Sequence, residues 1–360
     1  MKNSLFSNIY NGKTVFVTGH NGFKGSWLTL WLKLLGAKVV GYSLEPNTSP
    51  NHHNILSNTN SCVNIIADIR NLDALKNSLR EHSPDIVFHL AAQPLVRESY
   101  IAPLETFSTN IIGSANLFEA CREIESIKAI VNVTTDKCYE NREWCWGYRE
   151  SDPVGGYDPY SASKACSELI TSSYRNSFFN GKALIASARA GNVIGGGDWA
   201  KDRIITDLMT AITDESCMLI RNPKATRPWQ HVLDPLSGYL LLGQHLLENK
   251  PDFAQAWNFG PNDAPVKVVD VVKHMQKRWS KIKYKICQDK SEFHEATLLK
   301  LDCSKSNSIL HWNSIWNCST ALDKTADWYR EYYENNKIIT ECQLLEYCDD
   351  ACKANAVWAR

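Results

Sequence analysis

Thr135, Asp136 and Lys137 close the apolar run AIVNVTTD, and Tyr160 precedes Lys164 by four positions in YDPYSASKACSE. Spacing of four on a helix puts a phenol and an ammonium on one face. The ammonium is expected to lower the phenol's pKa, so that the hydroxyl exchanges a proton with an alcohol substrate. Taken alone, Tyr-x-x-x-Lys and Asp-Lys are ordinary surface pairs. A third element changes their meaning. Gly19, Gly22 and Gly25 in TGHNGFKG stand between a strand-like run, KTVFVTG, and a helical pattern. A dinucleotide loop needs that shape: the first glycine for the tight turn, the second for close approach of pyrophosphate, the third for packing helix on strand. Asn21, Phe23 and Lys24 belong to the same turn.

The elements that must hold these groups follow from hydrophobic periodicity. Strands are predicted over 13–19, 38–43, 62–68, 85–92, 129–136 and 182–195, with helices over 23–36, 71–81, 103–123 and 157–178 between them. Strand and helix in alternation mean right-handed crossovers and a parallel sheet covered on both faces. Beyond about 195 the rhythm changes. Helices are expected over 203–215, 236–248, 267–279 and 320–336, with short strands at 256–260, 284–287 and 299–303. The stretch 341–352 gives no clear signal.

Composition removes several classes of function. Lys+Arg and Asp+Glu number 39 each in 360 residues, so no charge excess points to nucleic acid or an anionic membrane. No apolar run approaches the ~20 residues of a membrane span. The N-terminal stretch lacks the apolar core of a signal peptide, and a cytoplasmic location is expected. None of the twelve cysteines forms a Cys-x-x-Cys pair. Reduced cysteines and no metal are therefore expected.

The chain resembles the extended short-chain dehydrogenase/reductases, in their nucleotide-sugar branch. The resemblance rests on GHNGFKG, Asp68-Ile69, HLAAQP (89–94), Asn110 in STNIIGSANL, TTDKCY, Tyr160 with Lys164, and RAGNVIG (189–195). GGGDWAKDRI, RPWQHVLDP and HEATLLKLDCSK are similar to the 4,6-dehydratases of that branch that act on CDP-D-glucose. The implied fold is a Rossmann-type doubly wound α/β parallel sheet with a smaller, interleaved C-terminal substrate-binding domain. Residues 1–195 with about 231–262 would hold NAD, and 196–230 with about 263–360 the nucleotide sugar. A homodimer or homotetramer is implied, built on helices 103–123 and 157–178.

The resemblance also implies roles. Ser43, Asp68, Ile69, Leu90, Ala91, Ala92, Gln93 and Thr109 join the glycine loop in binding the cofactor, with Tyr160 and Lys164 at its nicotinamide end. The acid expected after the second strand is missing at Ser43, and no arginine replaces it, so the residues leave NAD against NADP open. A helix N-cap is the plainer reading of Asp68. Tyr160 would take the proton of the C4 hydroxyl, with Thr135 bonded to the same group, and Asp136 would protonate the departing C6 hydroxyl. The residue after Asp136 is a glutamate base in dTDP-glucose relatives; here it is Lys137. A lysine takes a proton only when neutral, so Lys137 as C5 base needs burial or nearby positive charge. In the alternative, Lys137 only orients and Tyr160 moves both protons. Gln93, Arg97, Asn192, Lys201, Arg203, Arg227, His294 and Glu295 are the expected substrate contacts, and Trp229 either stacks on the base or simply packs. The implied pathway leads to CDP-linked 3,6-dideoxyhexoses of bacterial O antigen. A 4-epimerase or reductase would use Tyr160 and Lys164 without needing Asp136-Lys137, and a nucleotide sensor would need none of them.

Overall fold

The computed structural model describes residues 5–56, 62–220, 222–287 and 298–360. At its centre lie seven strands: β1 (Thr14–Thr18), β2 (Lys38–Ser43), β3 (Val63–Ile66), β4 (Ile86–His89), β5 (Ala129–Val133), β6 (Leu184–Ala190) and β7 (Ala256–Phe259). They form one sheet in the order β3-β2-β1-β4-β5-β6-β7, with every neighbouring pair parallel. Val15, Phe16 and Val17 are wholly buried, as a strand covered on both faces requires. Val15 sits opposite both Val39 and Ile86. The chain spreads from β1 toward β3 on one side and from β4 toward β7 on the other. That reversal opens a crevice at the carboxyl ends of β1 and β4.

The expected elements are present with three differences. The helix read as continuous over 103–123 is Pro103–Phe107, a π-turn over Ser108–Ile112, and Gly113–Cys121. Such turns cluster at functional sites, and this one carries Thr109 and Asn110. The strand expected over 299–303 is a single bridge between Leu301 and Tyr148. The stretch 341–352, without a clear signal in the sequence, belongs to the helix Thr340–Lys353, which buries Leu344, Tyr347, Cys348 and Ala351. Their spacing is helical, and the face closes on the first helix, Phe23–Leu34. There Trp31 meets Tyr347 and Trp358 edge-on at 5.8 and 5.6 Å between ring centres.

The helix Pro159–Phe178 carries Tyr160 and Lys164. Asp158 caps it, accepting from Ser161 N at 2.9 Å and Ser161 Oγ at 2.6 Å, and proline occupies its first turn. Glu168 extends the same face one further turn. It accepts from Arg189 of β6 at 2.8 Å, from Ser187 Oγ at 2.7 Å, and from Thr134 just past β5. Arg189 and Glu168 are each about 5% exposed. Burial by itself would raise the Glu168 carboxyl, but Arg189 and the hydroxyls outweigh it and hold the group below the usual carboxylate range.

Short strand pairs beyond β6 form a second region: Val193–Ile194 with Gln230–His231, Met218–Ile220 with Tyr284–Ile286, and Thr226–Arg227 with Val266–Lys267. One hydrophobic core joins this region to the sheet, through Met209, Val271 and Trp328 on one side and Trp27 and Leu236 on the other.

Glu168→Ala leaves Arg189 buried and unpaired, and should cost about 3–5 kcal/mol of unfolding free energy, read by urea denaturation. Because the folded Glu168 carboxyl is depressed, its contribution is present above an unfolded pKa of about 4.3 and is lost as pH falls through the folded value. The variant's deficit should therefore shrink in acid.

Candidate active site

The glycine loop has the geometry its spacing predicts. Gly19 has φ +73°, and a Cβ there would lie 2.7 Å from Ala91 N. A Cβ on Gly25 would lie 2.0 Å from Gly19 O, so the helix start and strand end touch only because both are glycine. Gly22 is the extended residue before Phe23 opens the helix, and its N–H donates to Gly19 O at 3.2 Å. Thr18 Oγ1 accepts from Leu90 N and Ala91 N, both at 3.2 Å, which ties the loop after β4 to the end of β1.

A cleft of about 1060 Å³ runs from this loop across the carboxyl edge of the sheet. Gly19, Asn21, Gly22, Phe23, Lys24 and Gly25 line one stretch, with Ser43, Asp68 and Ile69 beside them. Leu90, Ala91, Ala92 and Thr109 line the middle, and Thr135, Asp136, Lys137, Tyr160 and Lys164 the far end. Asp68 does not cap the following helix: Asn71 does, accepting from Ala74 N at 3.0 Å. The Asp68 carboxylate instead takes Arg70 Nε at 2.8 Å and Nη2 at 2.6 Å, and these bonds from Arg70 hold it below the usual carboxylate range.

At the far end the sheet edge gathers the reactive groups. Thr135 follows β5 and donates to Asp136 Oδ1 at 3.0 Å; it also bonds the Tyr160 hydroxyl. Asp136 is 1% exposed, its Oδ2 has no protein partner, and Lys137 Nζ lies 3.7 Å from its Oδ1. Lys164 Nζ donates to Val133 O at 3.3 Å. Burial lowers Lys164 to about 8, opposed by Glu168. The expected drop in the phenol's pKa is not what the protein's own groups produce. Burial first, and then Asp136 and Asp158, push Tyr160 up to about 12 against Thr135 and Arg203.

Lys24 reaches this end too, which its place in the glycine loop did not foretell. Its Nζ donates to Tyr239 OH at 3.3 Å. Burial, then the charges of Arg203, Lys164 and Lys137, lower it to about 7. Sequence reasoning also missed Glu168 and Arg189. The signal for Glu168 was present, at i+8 from Tyr160 and i+4 from Lys164.

The expected substrate contacts divide. Arg97, Asn192, Arg203 and Arg227 line the cleft. Arg97 pairs with Asp202 at 3.5 Å, Arg203 Nη1 donates to Asp198 Oδ2 at 2.6 Å, and Arg227 Nη1 to Thr226 O at 2.9 Å. Asn192 Oδ1 is buried with no protein partner. Gln93 departs from expectation. Its amide bonds Leu95 O at 3.1 Å and Thr106 Oγ1 at 2.8 Å and accepts from Leu95 N at 2.5 Å, so it shapes the loop and does not line the cleft. Lys201 is exposed and does not line it either. Trp229 borders the cleft and is largely packed: it is 4% exposed, and its indole donates to Val266 O at 3.1 Å. His294 and Glu295 lie outside the described residues.

Residues 16–325 match the family model described as GDP-mannose 4,6 dehydratase. The chain is 48% identical over 349 residues to the CDP-glucose 4,6-dehydratase of Salmonella typhimurium, covering 95% of this chain and 97% of that protein. Among solved structures, an epimerase from Methanothermobacter thermautotrophicus superposes with a TM-score of 0.80 at 22% identity, over 92% of this chain and 96% of its own. A dTDP-glucose 4,6-dehydratase of Bacillus anthracis, in complex with NAD, superposes with a TM-score of 0.74 at 20% identity, over 90% and 98%. At these identities the two structures speak for the fold.

Gly25→Ala should weaken dinucleotide binding by at least about tenfold, roughly 1.4 kcal/mol, measured by calorimetry. Gly181→Ala is the control: its φ is +76°, but nothing lies within 4 Å of the added Cβ, so binding should hold.

Proposed function

We propose, for a chain that belongs to the GDP-mannose 4,6 dehydratase family, that it converts CDP-D-glucose to CDP-4-dehydro-6-deoxy-D-glucose and water. One observation carries the choice among activities on this scaffold. A buried carboxyl with an unpartnered oxygen, Asp136, and an ammonium 3.7 Å from its other oxygen stand beside the Thr135–Tyr160 pair. Proton exchange at one hydroxyl needs only the pair. Loss of water needs a further acid and a further base.

The cleft fits NAD: the close contacts that only glycines allow at 19 and 25, the helix starting at Phe23, and an orphaned Asn192 Oδ1 at the far end. Gly19, Asn21, Gly22 and Phe23 would hold its pyrophosphate, Ser43, Asp68 and Ile69 its adenosine half, and Lys164 its nicotinamide ribose. Bound there, NAD supplies the acceptor for the C4 hydride and the donor that returns it to C6.

The chain's own groups move the protons. Tyr160 accepts the C4 hydroxyl proton while Thr135 fixes that oxygen. The resulting C4 carbonyl acidifies C5–H. Lys137, at the half-open rim 3.7 Å from Asp136 Oδ1, takes the C5 proton. Asp136 gives its proton to the C6 hydroxyl, which leaves as water. With hydride restored at C6 and a proton at C5, the only loss is one water. Arg203 and Arg227, which line the cleft, would meet the diphosphate.

The same reading assigns residues 1–195 with 231–262 to the cofactor and 196–230 with 263–360 to the nucleotide sugar. In support, the strand pairs at 218–220 and 226–227 contribute lining to the cleft. It extends to synthesis of CDP-linked 3,6-dideoxyhexoses of O antigen in the cytoplasm. Among the described residues no helix is long and apolar enough to cross a membrane. A homo-oligomer is favoured by exposed Ile101, Leu104, Ile112 and Leu169 around the two helices expected to pair.

Substrate tritiated at C4 should yield product labelled at the C6 methyl. Label in water or in released cofactor would overturn the proposal. Tyr160→Phe should lower kcat by about 10²–10⁴. Lys137→Ala should abolish C5 solvent-deuterium exchange; exchange at the normal rate would pass the base role to Tyr160. Joint Leu104→Arg and Leu169→Arg substitution should give a monomer in sedimentation analysis.

A further inference from the structure

The absence of any Cys-x-x-Cys pair argues against a metal, but the fold draws three ligand-type side chains together from separate elements. His20 follows Gly19 at the end of β1. Its ring lies over Gly41 of β2, where a Cβ would come within 2.2 Å of it. His53 belongs to the short helix His52–Ile55, and Cys62 immediately precedes β3. One donor atom from each lies within 4.8 Å of the others. The two imidazoles stand edge to face, 5.0 Å apart. His20 is fully buried, His53 is 8% exposed, and His53 Nδ1 has no protein partner.

We propose that His20, His53 and Cys62 form a three-ligand site for a zinc-class divalent cation, with the fourth position open to solvent. Two imidazoles and a thiolate are the donor set such ions favour. Burial lowers both imidazoles, His20 to about 4, so each offers a lone pair at neutral pH. His20 Nδ1 lies 2.8 Å from Ser43 Oγ; with the ring proton moved to Nδ1, that hydroxyl would accept it and orient the ring for ligation through Nε2. Its Nε2 bonds Asn64 Oδ1 at 2.7 Å. Asn64 is exposed on β3, and ligation through this nitrogen requires its amide to turn into solvent. Bond lengths of about 2.0–2.3 Å then draw the three donors inward, and the Cys62 thiol gives its proton to solvent on ligation.

The site is separate from the dehydration machinery, since none of the three residues lines the cleft. Ser43 does line it, and Ser43 holds His20. A bound cation therefore fixes the adenosine end of the cleft by clamping the end of β1 and the short helix His52–Ile55 to the start of β3.

Cobalt(II) titrated into the metal-free full-length protein tests this. One equivalent should produce a thiolate-to-cobalt charge-transfer band with tetrahedral visible bands. Cys62→Ser should remove the charge-transfer band. Zinc affinity, measured against a chromophoric chelator, should fall at least tenfold in both Cys62→Ser and His53→Asn. Melting of the metal-free variants should match the parent, which separates lost ligation from lost folding. No charge-transfer band in the parent protein, or a band that survives Cys62→Ser and so belongs to another of the twelve cysteines, would overturn the proposal.

Discussion

The Glu168–Arg189 ion pair sets the register on which the site depends. Glu168 lies one helical turn beyond Lys164 and two beyond Tyr160, and it is gripped from two strands at once: Arg189 and Ser187 on β6, Thr134 at the end of β5. A rotation of the Pro159–Phe178 helix that moved the phenol would pull a carboxylate off a buried guanidinium. Arg189 is itself fixed, donating to Tyr139 OH at 2.7 Å, which donates in turn to Asn258 Oδ1 of β7 at 2.7 Å. Three strands and the Pro159–Phe178 helix thus share one polar chain through an otherwise apolar interior. Buried networks of this kind penalise partial rearrangement, because each broken link leaves an uncompensated group behind.

That rigidity lets consecutive residues face different surroundings. Thr135, Asp136 and Lys137 leave β5 in a 3-10 turn, with Thr135 capping it by accepting from Lys137 N at 3.3 Å. The turn sends the threonine toward the phenol, the aspartate inward beneath Gly191, and the lysine to the half-open rim. Gly191 is part of the fit, as a Cβ there would meet Asp136 Oδ2 at 2.9 Å.

Much of this was legible in the sequence because the signals were local. Glycines 19, 22 and 25, the apolar strands, and the four-residue step from Tyr160 to Lys164 are each set by neighbours in the chain. What was not legible depends on partners far away. Gln93 looked like a ligand contact, but Thr106 and Leu95 engage its amide first. Lys201 sits in a loop that does reach the cleft, yet its side chain faces water. The phenol's pKa moved opposite to expectation because burial, which adjacent residues do not reveal, outweighs them. The Thr340–Lys353 helix had a readable period at 344, 347, 348 and 351, masked by acidic residues on its other face.

The last helix also bears on how the chain is made. Trp31 belongs to the first helix after the glycine loop, but its cover comes from Tyr347 and Trp358, and Phe6 stacks on Trp358 at 5.0 Å. More than three hundred residues separate these partners. During synthesis Trp31 has only Phe6, edge-on at 5.8 Å, until the segment carrying Tyr347 and Trp358 has left the ribosome. Contacts so remote in sequence form slowly, and a tryptophan-rich surface left open that long invites association between unfinished chains. Productive folding of this protein is thus a race between docking of its Thr340–Lys353 helix and contact with neighbouring chains.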